Sequence, residues 1–157
     1  LPFRLVQPPY GFGPAAIGSI FLLYAVGSYS SAWAGRQVAH HGRQRILLGM
    51  ATLAALGIGA TLAEALWLII VGLGIFTFGF FAVHSVASAW VSHRAGPRRG
   101  LVSALYLSSY YLGGSLLGTA AGWTWSHGGW PGVIATLLAC AGLVIAIAVR
   151  LRRLAGD

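Results

Sequence analysis

Long apolar runs separated by short polar gaps run through the whole chain. Five of these runs are free of charge for about 18 or more residues, which is long enough for a helix to cross the hydrocarbon core of a membrane. The pattern predicts an all-α fold, a polytopic transmembrane helical bundle with five spans at about residues 14–34, 46–63, 65–91, 101–125 and 132–149. Residues 1–13 contain Pro8, Pro9 and two glycines, so we expect an exposed loop there or the tail of a helix that lies upstream.

Charged residues are few and lie in the gaps between the runs. They make up 8% of the 157 residues, whereas soluble domains carry about a quarter. All ten basic residues are arginines, and nine of them follow the first, third or fifth run. The alternate gaps hold Glu64 or no charge. By the positive-inside rule this predicts a multi-pass protein with its N-terminus outside and its C-terminus in the cytoplasm, with Arg4 as the one exception.

Composition excludes several other classes of protein. The net charge of +8 suits nucleic-acid binding, but arginines at span ends form no basic stripe, so we expect no nucleic-acid partner. Cys140 is the only cysteine, which excludes disulfide frameworks and Cys-rich metal sites. His40 and His41 are adjacent and point apart without a nearby carboxylate, so no metal is expected. The chain lacks paired carboxylates or a Ser/Lys pair at membrane depth, and we expect neither an enzyme nor a cofactor.

His84 is the only ionisable side chain clearly inside a predicted span, about 10 Å from its basic end. Such groups are costly in a membrane and face a bundle interior or a wet cavity. Imidazole can carry a proton near neutral pH, so His84 is a candidate contact for a substrate or a proton. The alternative is a neutral histidine that packs by hydrogen bonding to Ser or Tyr of a neighbouring helix. Ser85 and Ser88 flank it, and Ser88 lies one turn further on the same face.

Other small and polar residues recur at helical spacing. Tyr106 and Tyr110 lie four residues apart on the fourth span and form, with Ser103, a polar aromatic strip, unless their rings only fill gaps between helices. Small residues at four-residue spacing allow close helix contact. The predicted packing residues are Gly27, Ser31 and Gly35 on the first span and Gly114, Gly118 and Gly122 on the fourth.

The segment GRQVAHHGRQR at residues 35–45 resembles the signature loop of the major facilitator superfamily. Gly35, Gly42 and Arg43 match that motif, His40 stands at its first basic position, and Ala39 replaces its acid. Residues 80–88 resemble helix ten of bacterial inner-membrane efflux permeases of this superfamily. Residues 103–106 and 110–115 resemble helix eleven. Together these matches place the chain as helices eight to twelve, the C-terminal half of the fold.

The resemblance implies a secondary transporter that works by alternating access and exports a small organic solute from a bacterial cell, as an antiporter driven by protons. The partners implied are the lipid bilayer, the solute, protons and the missing N-terminal half. Helices eight, ten and eleven of the family surround the central path, so Tyr24, His84, Tyr106 and Tyr110 would line it. The loop around Arg43 would act as a latch, or its arginines only fix topology. A second reading is a small non-transporting membrane subunit that docks on a partner through its glycine faces.

Overall fold

Helices form every regular element in the part of the chain that the structure describes. This computed structural model describes the backbone of residues 1–155 and the side chains of residues 1–151. The first helices are α1 at Pro2–Val6, α2 at Pro14–Ser19 and, after a 3-10 turn at Ile20–Leu23, α3 at Tyr24–His41. They are followed by α4 at Arg43–Ala60, α5 at Leu66–Arg94, a 3-10 turn at Gly96–Arg98, and α6 at Arg99–Ala155. The predicted all-α membrane bundle is confirmed.

Three described segments are long and apolar enough to cross a membrane: Pro14–His41, Leu66–Arg94 and Gly96–Leu151. The third has 56 residues, about 80 Å if straight, and it breaks at Gly129, whose φ of 59° and ψ of −152° are not helical. Residues 99–128 and 130–155 therefore form two helices. The 18-residue α4 begins with Arg43 and is not among the three segments. The count of five crossings stays a prediction.

Helix α5 lies at the centre of the bundle, packed against α3, α4 and α6. In its contact with α4, the backbones of the two helices approach each other closely. A Cβ atom on Gly57 would lie 2.4 Å from the Phe76 nitrogen and 2.6 Å from the Gly72 oxygen, and one on Gly79 would lie 2.6 Å from the Met50 oxygen. Glycines permit such approach between membrane helices, so any larger residue at these positions must push α4 and α5 apart.

The contact between α3 and α5 uses part of the predicted small-residue face. A Cβ on Gly27 would lie 2.6 Å from the Phe81 ring, and the Ser31 hydroxyl donates to the Phe81 oxygen at 3.4 Å. Gly35 has no such neighbour within 4 Å. Ser30, which the sequence did not single out, is fully buried and donates to the Phe78 oxygen at 2.5 Å.

The glycines of α6 at positions 114, 118 and 122 meet no described atom within 4 Å of a built Cβ. They lie on the exposed side of residues 99–128, where Leu105, Leu112 and Leu116 are also exposed, by 58%, 63% and 64%. Their predicted role in helix packing stays a prediction, since any helix that covers this face lies outside the described chain.

Two expectations about non-helical segments are wrong. The predicted loop between the first two spans, residues 35–45, is helical except at Gly42, because α3 runs to His41 and α4 starts at Arg43. Charged side chains can extend into the interface from a continuous helix, and only Gly42, with φ of 79°, adopts a backbone that favours glycine. Residues 1–13 are expected to be an exposed loop or the tail of an upstream helix; residues 2–6 form α1 and Leu5 is fully buried, so the exposed loop is wrong there. The turn that holds Glu64 is also longer than expected, from residue 61 to 65.

Candidate functional site

His84 on α5 lies against two tyrosines of α6. The Tyr106 hydroxyl is 3.1 Å from the His84 Nδ1 atom and 3.3 Å from the His84 carbonyl oxygen. The Tyr110 ring centroid is 4.6 Å from the imidazole centroid. Phe80, one turn earlier on α5, stacks on the imidazole at 6.3 Å. The structure thus brings together three of the residues that the sequence singled out, and we call them the His84 cluster: His84, Tyr106 and Tyr110.

The hydrogen bonds of this cluster suit two protonation states of His84. A tyrosine hydroxyl has one proton to donate and lone pairs that accept. When Tyr106 donates to the His84 carbonyl oxygen, its own oxygen accepts from Nδ1–H. That arrangement holds for the neutral ring, whose Nε2 is then free to take a proton, and for the imidazolium. The same contact therefore supports His84 with and without a positive charge.

The cluster lines a cavity of about 310 Å³ between α4, α5 and both parts of α6. Its other walls are apolar and include Phe76, Phe80, Leu117 and Leu137. This volume suits a small ligand, and few polar groups in an apolar wall are typical of sites that orient one. Phe76, Phe80 and Tyr110 also line a second cavity of about 390 Å³, towards the N-terminal end of α3. The aromatic rings therefore separate two cavities.

The other predicted pathway residues lie apart from the cluster. Tyr24 is 56% exposed and lines the second cavity, with its ring edge-on to Phe81 at 5.7 Å. The Ser103 hydroxyl lies 3.0 Å from that of Ser92, near the basic end of the bundle. Ser85 lines a third cavity there. Ser88 is half-buried and lines none of these cavities, whereas Ala87 lines the one at His84. A role for these residues in transport stays a prediction.

The signature segment presents its arginine to an aromatic ring. The Arg43 guanidinium carbon lies 5.8 Å from the Trp90 ring centroid, and that of Arg94 lies 5.4 Å from the same centroid. Gly42 supplies the break between α3 and α4, while Gly35 lies inside α3 and His40 is exposed in its last turn. The predicted latch would need a carboxylate as the partner of Arg43. Among the described residues, no carboxylate lies beside Arg43 and Trp90. Arg152 and Arg153, also assigned to this end, lie outside the described side chains.

Arg4 belongs to a polar cluster at the opposite end of the bundle, which sequence reasoning missed. Its guanidinium donates to the Thr61 carbonyl oxygen and, at 2.7 Å, to that of Ala63. The Trp130 indole donates to the same Thr61 carbonyl oxygen at 2.8 Å, and the Tyr10 hydroxyl donates to the backbone carbonyl oxygen of Glu64 at 2.5 Å. Carbonyls at a helix end lack helical partners, so this arginine satisfies the carbonyl at the C-cap of α4, Thr61, and one carbonyl of the following turn. No sequence signal links residue 4 to residues 61–64.

Comparison with known proteins supports the resemblance. No family model matches the chain, and no solved structure matches it. Over 132 residues it is 40% identical to an uncharacterized MFS-type transporter, YybF, of Bacillus subtilis (strain 168), covering 84% of the chain and 33% of that relative. Over 151 residues it is 39% identical to the inner membrane transport protein YnfM of Escherichia coli (strain K12), covering 96% and 36%. An uncharacterized transporter of Buchnera aphidicola subsp. Baizongia pistaciae (strain Bp) is 38% identical over 148 residues, covering 92% and 36%.

The helical bundle and its relatives define the class of this molecule as a multi-pass α-helical membrane protein. The chain belongs to the major facilitator superfamily, as its signature segment predicted. It spans about one third of the length of the curated relatives it matches. These relatives are named as transporters and not as enzymes, which confirms that expectation.

Proposed function

We propose that the chain forms helices eight to twelve of a secondary transporter that exports a small organic solute in exchange for protons. The observation that carries this proposal is the His84 cluster in an otherwise apolar cavity of about 310 Å³. An ionisable group at membrane depth marks a substrate or proton pathway by default. His84 would bind and release the proton, Tyr106 would hold the imidazole in both states, and the aromatic walls would contact the solute.

Alternating access needs a second helical bundle that moves against this one. The curated relatives are about two and a half times as long as the chain, which leaves room for that bundle in the protein that contains it. The exposed apolar side of residues 99–128, with its three glycines, is a surface for the bundle to cover. The same face supports the alternative, a small non-transporting membrane subunit that docks on a partner protein.

An immunoblot of the membrane fraction with an antibody against the tail after Arg150 separates these two functions. If the protein is a transporter, we expect a band at more than twice the mass of the chain, which is 16.4 kDa. A band at the mass of the chain itself would favour the docking subunit.

The same antibody tests the proposed orientation in the cell inner membrane. We expect it to bind everted vesicles and not intact spheroplasts, because the arginine-rich end should face the cytoplasm; the reverse pattern would contradict that orientation.

Transport is tested with everted membrane vesicles that contain the full-length protein. With a proton gradient established, a panel of small organic solutes is added and the pH difference is followed with a fluorescent dye. A transported solute should release protons from the vesicles and accumulate inside them, and an uncoupler should abolish the accumulation. Accumulation that persists with the uncoupler would contradict proton coupling. Vesicles without the protein serve as the control.

A further inference from the structure

The arginines at one end of the bundle greatly outnumber the acids that the chain can offer them. The sequence has ten arginines and two acids, Glu64 and Asp157. Glu64 lies in the turn between α4 and α5, at the opposite end of α5 from Arg94. Asp157, the one other acid, cannot neutralise the nine arginines that follow the first, third and fifth apolar runs. Charge balance at this end therefore calls for an anion from outside the chain.

Two of these arginines converge on one side chain. The guanidinium carbons of Arg43 and Arg94 lie 5.8 Å and 5.4 Å from the centroid of Trp90. Each guanidinium group is attracted to the ring. The two positive charges repel each other, however, because both lie against the same indole. An anion placed beside the ring would be attracted to both guanidinium groups. Tryptophan at a span end is also typical of the headgroup region of a membrane.

Trp90 also forms one wall of a groove of about 230 Å³ between α4, α5 and residues 130–155. The body of the groove is apolar, and its walls include Leu47, Val83, Ala87, Val144, Ile147 and Ala148. From Val83 to Trp90, the α5 wall is about 10 Å long at 1.5 Å per residue. The groove thus runs from the arginine-rich end of the bundle towards the membrane interior.

The arginine-rich end of the groove is polar. Gln44 lies there, and its Oε1 atom has no hydrogen-bond partner among the described residues. Arg43 and Arg45 flank Gln44 in the chain, and Arg150 precedes Leu151, another wall residue; these three arginines are exposed. Neither Arg43 nor Arg94 lines the groove itself, but Trp90 does, and both guanidinium groups lie against its ring. The groove therefore combines an apolar body with a cationic edge.

We propose that this groove binds a glycerophospholipid with an anionic headgroup, its phosphate between Arg43 and Arg94 and one acyl chain along the apolar wall. Basic pockets between transmembrane helices recognise such headgroups. The apolar body argues against a free phosphate ion, which would leave it empty. The cationic edge argues against a zwitterionic lipid, whose ammonium group the arginines repel. The proposal needs only that the chain spans a membrane and holds whether or not it transports a solute.

The test uses the full-length protein in neutral detergent, with lipid binding followed by native mass spectrometry and by the midpoint of thermal unfolding. The probes are phosphatidylglycerol, phosphatidylcholine and inorganic phosphate. We expect phosphatidylglycerol alone to raise the midpoint. Each arginine near a lipid surface changes the affinity about fivefold, so the double variant Arg43→Gln/Arg94→Gln should bind this lipid about 25-fold more weakly. The matched control Arg98→Gln/Arg99→Gln removes the same charge at the same end, but unlike Arg43 and Arg94 these arginines do not lie against Trp90, and its affinity should fall much less.

A second variant tests the groove separately from the arginines. Ala148→Phe adds a ring to the apolar wall and should weaken phosphatidylglycerol binding while phosphate remains without effect. Three results would overturn the proposal. Inorganic phosphate that stabilises the protein as well as the lipid does would mean a simple anion site. Equal binding of phosphatidylcholine would mean unselective apolar contact. Wild-type lipid binding by the Arg43→Gln/Arg94→Gln protein would mean that these two arginines do not hold the headgroup.

Discussion

Replacing Gly57 by alanine should destabilise the bundle by about 3 kcal/mol, at the upper end of the usual cost of overpacking. The added carbon would lie 2.4 Å from the Phe76 nitrogen and 2.6 Å from the Gly72 oxygen. Both atoms belong to the backbone of α5, so no side-chain rotation relieves the clash, and α4 must move away. The midpoint of thermal unfolding of the full-length protein in detergent, read by size-exclusion chromatography after heating, measures the loss.

Gly59→Ala is the matched control, because it makes the same chemical change on the same helix. A Cβ at Gly59 meets nothing within 4 Å, and alanine is favoured over glycine in a helix by up to about 1 kcal/mol. Its midpoint should be equal to that of the wild type or higher. Equal midpoints for the Gly57→Ala and Gly59→Ala proteins would show that the close α4–α5 contact does not stabilise the bundle.

The sequence predicted the helices well because a membrane leaves few alternatives to them. Every backbone polar group in hydrocarbon must bond internally, so long uncharged runs become helices. The end of each helix was harder to predict, since arginines extend into the interface without breaking α3 or α4. Helix contacts were harder still. The chain has 23 glycines, and their spacing alone does not show that Gly57 and Gly79 meet α5 and α4 while Gly118 faces outward.

The candidate site was predictable as far as polar atoms inside spans must find partners. His84, Tyr106 and Tyr110 are such groups, and the structure joins them. Which other residues line the cavity depends on their angular position around the helix. Ser88 shares a face with His84 by spacing, yet Ala87 is the residue that lines the cavity. Arg4 had no local signal, because its partners at Thr61 and Ala63 are brought close only by the fold. Long-range contacts of this kind depend on the whole bundle and not on any short motif.

Replacing His84 by glutamine should abolish solute accumulation driven by a proton gradient and leave downhill exchange of the solute intact. Glutamine keeps donors and an acceptor close to Tyr106 and fills most of the space, but it cannot carry a proton. Accumulation in everted vesicles containing the full-length protein should therefore fall to equal concentrations on both sides. Tyr106→Phe should slow proton-coupled transport by about 10- to 100-fold, since a hydrogen bond to a charged group contributes roughly 1.5–3 kcal/mol.

The His84→Gln variant distinguishes a histidine that carries a proton from one that only packs against its neighbours. If His84 only packs against Tyr106, whose hydroxyl lies 3.1 Å from its Nδ1 atom, then His84→Gln keeps that contact and accumulation persists, which would remove His84 from the mechanism. His127→Ala and Tyr111→Phe are the matched controls, because both side chains are exposed and lie outside the His84 cavity. Both should accumulate solute like the wild type. Loss of accumulation in His84→Gln together with normal folding, measured by the same unfolding midpoint, would make the imidazole proton itself part of the transport cycle.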